Sequence, residues 1–225
     1  MIAEGVFYLA LKLSKLIAHL FVQRDDGGFA TRPEDVFAKI EKNKKLQFEF
    51  VDLLLAFIFT DNPLITNIYR PERQRLFIVD VIARSFQIFV VAHEYGHYIF
   101  NHLRNENSEI PSLSLEKATD EAKKTMKNWI QELDADRFGS SIAIQVMQND
   151  GYCKEVSFMG IETCICVMNI IEQKAKYYSV NTDIESDKKY IPSDHPPAAM
   201  RKAAIIEANK TKEDSEIIDR VTNSI

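Results

Sequence analysis

His93, Glu94 and His97 stand in the order His-Glu-Tyr-Gly-His, directly after the apolar run Ile88 to Ala92. Residues four apart share a helix face, with Cβ atoms about 6 Å apart. His93 and His97 can therefore turn two imidazoles toward one metal ion. Glu94 lies one position on, close enough to hold a water on that ion without being a ligand. Two His that bind and a Glu that acts as general base is the arrangement of a zinc-dependent peptide hydrolase. The same five residues also suit a plain surface helix, so the rest of the chain decides between the two. Catalytic zinc takes three protein ligands and keeps a fourth position open for water, which calls for one more ligand.

A third His shortly after the motif is the first candidate. The elongated pattern H-E-x-x-H-x-x-G-x-x-H would need Gly at 100 and His at 103, where the chain has Phe100 and Leu103. His102 is therefore expected to be an exposed His at a helix end, favoured there by the C-terminal dipole. The second candidate is a carboxylate in Gln131-Glu132-Leu133-Asp134-Ala135-Asp136-Arg137-Phe138-Gly139. Glu132 and Asp136 are four apart on one face. Glu132 can reach the metal, and Asp136 can accept the Nδ1 proton of a ligand His, which fixes its tautomer. Asp134 points roughly 160° away from Glu132 and is excluded. Ala135 and Gly139 are small enough to let this helix approach the His helix closely. A charged solvent face is the alternative, but Leu133, Phe138 and Ile142 mark the segment as partly buried, and buried carboxylates need partners.

A third stretch, Ser193-Asp194-His195-Pro196-Pro197, places His195 just before a Pro-started helix. His195 either hydrogen-bonds the oxyanion of a tetrahedral intermediate or serves as a capping or loop His.

These residues need helices to carry them. Leu76, Val79, Ala83, Phe86, Val90, His93 and His97 follow one stripe with a period near 3.6, predicting a helix over 72–103 that Pro71 opens. The rival reading makes 76–82 a strand. A second long helix is expected from Leu115 or Asp120 to Asn149, ended by Asp150-Gly151. A third spans about 153–178 and is apolar nearly all round at Ile161 to Ile171, as core. A helix opened by Pro196-Pro197 runs to about Asn209. Upstream, Val6, Leu9, Leu13, Leu16, Ile17 and Leu20 predict an amphipathic helix docked on the domain, on a partner or on a membrane. Gln23 to Gly28 is a turn, Pro33 opens a helix through Ile40 that Thr31 or its neighbour caps, and Lys42 to Lys45 is a solvated basic turn. A buried helix is expected over about 47–59, then a short irregular piece from Leu64 to Arg70. Arg104 to Ser114 is either a lid or a plain connection, Asn181 to Tyr190 a charged loop, and residues 211–225 a polar tail or short helix.

The 225 residues are 46% apolar and 27% charged, with a net charge of −5. That is ordinary globular composition. The pI near 5.6 and the lack of a Lys/Arg cluster with interleaved aromatics exclude nucleic-acid binding by bulk charge. Cys153, Cys164 and Cys166 are odd in number and include a C-x-C pair, which reads as reduced thiols in a cytoplasmic protein. No segment reads as a membrane span: Glu4, Lys12, Lys15 and His19 interrupt the first apolar stretch, and Asp52 lies within Phe48–Thr60.

The motifs His-Glu-Tyr-Gly-His, then Glu-Leu-Asp-Ala-Asp-Arg-Phe-Gly, then His-Pro-Pro-x-x-x-Arg resemble those of gluzincin metallopeptidases of the HtpX and CaaX prenyl protease type, over about residues 90–204. The resemblance implies that His93, His97 and Glu132 bind Zn2+ and that Glu94 is the base. It implies that Asp136 partners a ligand His, that His195 is the family's late active-site His, and that Arg201 braces that segment. HtpX and the CaaX proteases carry transmembrane helices, and soluble relatives with the same core are the better comparison. A second resemblance is to ImmA/IrrE-type peptidases, which lack a clear His-Pro-Pro-x-x-x-Arg segment. A third is to the phage-exclusion peptidase Lit. The expected architecture is mainly α, a zincin-like domain with its metal site between two long helices and at most a small edge sheet. Its parts are an N-terminal helical region over 1–70, a metallopeptidase core over 71–210, and the tail. The expected activity is a soluble zinc endopeptidase acting on protein or peptide substrates. The alternatives are a metal-binding regulatory or interaction protein with an inactive site, and a helical scaffold without metal.

Overall fold

The His helix is the centre of the fold. In the computed structural model, which describes residues 4–23, 29–30, 33–67, 69–102, 119–182 and 195–210, seven helices occur: α1 (Glu4–Ala18), α2 (Pro33–Lys42), α3 (Lys44–Thr60), α4 (Leu76–Ile99), α5 (Asp120–Asn149), α6 (Lys154–Thr182) and α7 (Ala198–Ala208). The protein is mainly α. The only strands among the described residues are β1 (Val22–Gln23) and β2 (Phe29–Ala30), an antiparallel pair that pairs Val22 with Ala30. The helix α4 packs against α1, α5 and α6, and α7 closes over α5 and α6. Its Ile82, Phe86 and Phe89 are essentially buried, as are Leu9 and Leu13 of α1, Met147 of α5 and Ile161 of α6. Each such side chain contributes about 1.5–3 kcal/mol through burial.

Residues 76–82 are helical, which settles the strand reading. Ile78, Val79 and Ile82 pack on Ala18, Ile17, Phe21 and Met159, so tertiary burial overrides the preference of β-branched residues for strands. The helix begins later than Pro71 suggests. A 3₁₀ turn at Arg73–Arg75 precedes it, and the buried Arg75 donates to the carbonyls of Ala18 at 2.9 Å, His19 at 3.0 Å and Phe21 at 2.6 Å. It thereby caps the end of α1. The helix also ends earlier than 103, at Ile99.

Lys42–Lys45 is not a turn. Asn43 is an N-cap whose side chain accepts from the Leu46 N–H at 3.0 Å, and Lys44 and Lys45 form the first turn of α3. That helix is buried on one face only, through Leu46, Leu53, Leu54 and Ala56, while Phe48, Val51 and Phe59 are exposed. Asn181 belongs to α6, which runs further than expected. The N-cap of α5 is Thr119, and Leu115 lies outside the described residues, as do Thr31, the segment from Arg104 to Ser114, residues 183–190 and the chain from Thr211. The three cysteines are free thiols. The stretch Arg73–Ile99 is long and apolar enough to cross a membrane by length and composition, unlike the sequence reading, and half of its most apolar window is buried inside the protein.

Candidate metal centre

The site forms where α4 and α5 touch most closely. A Cβ on Gly139 of α5 would meet the His93 backbone nitrogen at 2.9 Å, so only a residue without one fits. This close approach brings Asp136 and Glu132, about one and two turns earlier on α5, to the His pair of α4.

Three donors converge. His93 Nε2 lies 3.2 Å from His97 Nε2 and 3.6 Å from Glu132 Oε2. His97 Nε2 lies 3.3 Å from Glu132 Oε1. Ligand atoms about 2.0–2.1 Å from a tetrahedral zinc stand about 3.3 Å from one another. The two Nε2 atoms stand at that spacing, a different Glu132 oxygen faces each of them, and among the described residues His93, His97 and Glu132 are the group whose ligand atoms, one from each, lie within 4.8 Å of one another. Two imidazole nitrogens and a carboxylate oxygen are also the donor types zinc takes.

Asp136 is fully buried. Its Oδ1 is 3.0 Å from His93 Nδ1; the distance is that of a hydrogen bond, but the ring is not aligned for one. Arg201 of α7 grips the same carboxylate from the other side, Nε on Oδ2 and Nη2 on Oδ1, both at 2.7 Å. Burial alone would raise the Asp136 pKa, but the Arg201 and His93 contacts outweigh it and hold the group ionised. Glu132 behaves likewise. Its burial is outweighed by the hydrogen bonds of His195 and His97 and by the charge of His93, so its carboxyl sits far below the usual range. A half-buried carboxylate kept charged beside two imidazoles suits a cation.

His195 Nδ1 lies 3.1 Å from Glu132 Oε2, and that contact is the main cause of its raised pKa. It does not cap α7; the cap position is Pro197, with no side-chain cap bond. Glu94 is exposed on α4 and makes no hydrogen bond or ion pair with the described residues. Asp134 faces away, 3.0 Å from Arg137. His102 departs from expectation: it is half-buried, with Nδ1 3.0 Å from His97 Nδ1. An apolar cleft of 550 Å³ lined by Phe7, Ile88, Val91, Tyr95, Phe138 and Ile142 holds none of the donors.

The chain matches no protein-family model, no curated protein and no solved structure.

Proposed function

We propose that this chain is a zinc-dependent metalloendopeptidase of zincin-like type. The observation that carries the reading is the convergence of His93, His97 and Glu132, the two Nε2 atoms 3.2 Å apart with Glu132 Oε1 3.3 Å from that of His97 and Oε2 3.6 Å from that of His93. Those three residues would hold the ion, which would polarise a scissile carbonyl and lower the pKa of a water toward ~7. Glu94 follows His93 on the exposed side of α4, where its carboxylate takes a proton from the attacking water and returns it to the leaving amine nitrogen. His195 Nδ1 donates to Glu132 at 3.1 Å, which favours the doubly protonated ring, and from that form Nε2–H donates to the developing oxyanion. Asp136, clamped by Arg201 and 3.0 Å from His93 Nδ1, favours the His93 proton on Nδ1 by its charge and so leaves the Nε2 lone pair free for a metal.

The test is metal analysis together with cleavage of an unfolded protein substrate. The purified chain should carry one zinc and cleave; Glu94→Gln should keep the zinc and lose cleavage by about 100-fold or more. Full cleavage by Glu94→Gln would refute the mechanism. Zinc in both proteins with cleavage in neither would favour a metal-binding protein without turnover.

A further inference from the structure

The end of α4 carries a side chain back to the site. Asn101 is left-handed, with φ 57°. Its N–H bonds the Tyr98 carbonyl at 3.1 Å and the His102 N–H bonds the His97 carbonyl at 3.0 Å. These are the paired bonds of a Schellman motif, in which the residue after the left-handed one packs on the residue five before it. The end of α5 repeats the motif, with Gly151 at φ 89° and the Tyr152 N–H on the Met147 carbonyl at 3.1 Å. In α4 the packed pair is two imidazoles. His102 Nδ1 stands 3.0 Å from His97 Nδ1, the rings meet edge to face at 5.1 Å, and Phe100 stacks on His102.

Two ring nitrogens at that distance share one proton. His97 Nε2 faces His93 Nε2 and Glu132 Oε1. A His97 that binds metal there keeps Nε2 bare and carries its proton on Nδ1. Nδ1 then donates, and His102 Nδ1 accepts. We infer that His102 is a positioning residue for His97, holding its tautomer and ring angle; the inference rests on the zinc reading above. The left-handed Asn101 is the hinge that aims it.

The test is the zinc dissociation constant of the full chain, measured by competition with a chromogenic chelator. His102→Ala should weaken zinc binding about 10–100-fold. His102→Gln, which keeps an acceptor oxygen, should recover most of that loss. Asn101→Gly should bind as the wild type does, because Gly takes the left-handed conformation freely. Asn101→Val, strained there, should lose affinity with His102 intact. Tight zinc binding by the wild type with unchanged binding in His102→Ala, or equal loss in His102→Ala and His102→Gln, overturns the role of His102 and leaves the zinc reading standing. Failure of the wild type to bind zinc overturns that reading itself.

Discussion

Gly139 of α5 touches the backbone of His93 of α4: a Cβ there would stand 2.9 Å from the His93 nitrogen and 3.1 Å from its Cα. Backbone atoms cannot rotate aside, so Gly139→Ala must push the helices apart. Alanine gains about 1 kcal/mol over glycine in a helix interior, and overpacking costs about 1–3 kcal/mol, so a net loss is expected. Gly96→Ala is milder, because its Cβ would meet Ala135 Cα and the Phe138 ring edge at 3.2 Å. Thermal melts should show the larger drop for Gly139→Ala, at about 2–4 °C per kcal/mol. A Gly139→Ala protein as stable as wild type would contradict the packing.

Glu132 and Asp134 are two residues apart and have opposite fates. Glu132 lies within 3.6 Å of both imidazole Nε2 atoms; Asp134 makes an exposed pair with Arg137, worth less than about 1 kcal/mol. Glu132→Ala should weaken zinc binding by roughly 100-fold or more, whereas Asp134→Ala should leave it unchanged. Metal content after dialysis separates them, and equal content in the two variants would remove Glu132 from the ligand set.

The donors were legible because an i, i+4 spacing alone decides which side chains share a helix face; that places His93 with His97 and Glu132 with Asp136, and sends Asp134 away. Small residues at Ala135 and Gly139 signalled the close crossing. What spacing does not carry is the conformation of single residues between elements. His102 looked like an exposed end because the helix was extended to Leu103, past an Asn101 whose left-handed turn only backbone geometry reveals. The basic run Lys42 to Lys45 suggests a turn, although the Asn43 side chain within it caps α3. Arg201 entered only through resemblance, since nothing local in its helix points to a carboxylate 65 residues earlier. The strand-or-helix ambiguity at Leu76 to Ile82 was resolved by the apolar partners α1 and α6 supply.

The thiols offer an independent check of the core. Burial pushes Cys164 up to about 12 and Cys166 up to about 11, while Cys153 is exposed. At pH 8 a thiol reagent should therefore modify Cys153 first, and all three only after unfolding. The folded pKa values lie above the ordinary thiol value of 9.0, so the unfolded chain releases these protons first as pH rises. The stability the protonated thiols contribute is complete below about pH 9 and lost between there and 11–12. Three thiols reacting at one rate in the folded protein would contradict the burial of Cys164.

Arg201 and Asp136 form the pair whose loss should be felt most. Both are buried, and their two bonds of 2.7 Å are bidentate, the strong geometry for guanidinium and carboxylate. Removing one partner leaves the other charge buried with only a weaker contact, His93 Nδ1 at 3.0 Å for Asp136 or Glu132 Oε2 at 4.0 Å for Arg201. Arg201→Met should therefore cost about 3–5 kcal/mol of unfolding free energy, read as a lower urea midpoint with unchanged slope. The Asp136→Leu, Arg201→Met double variant removes both charges and should recover part of that loss, because a well-packed apolar replacement is often neutral. Zinc binding separates packing from positioning: the double variant regains stability but not affinity, since His93 Nδ1 has lost the carboxylate 3.0 Å away. A double variant that regained full zinc affinity would show that Asp136 serves the fold alone.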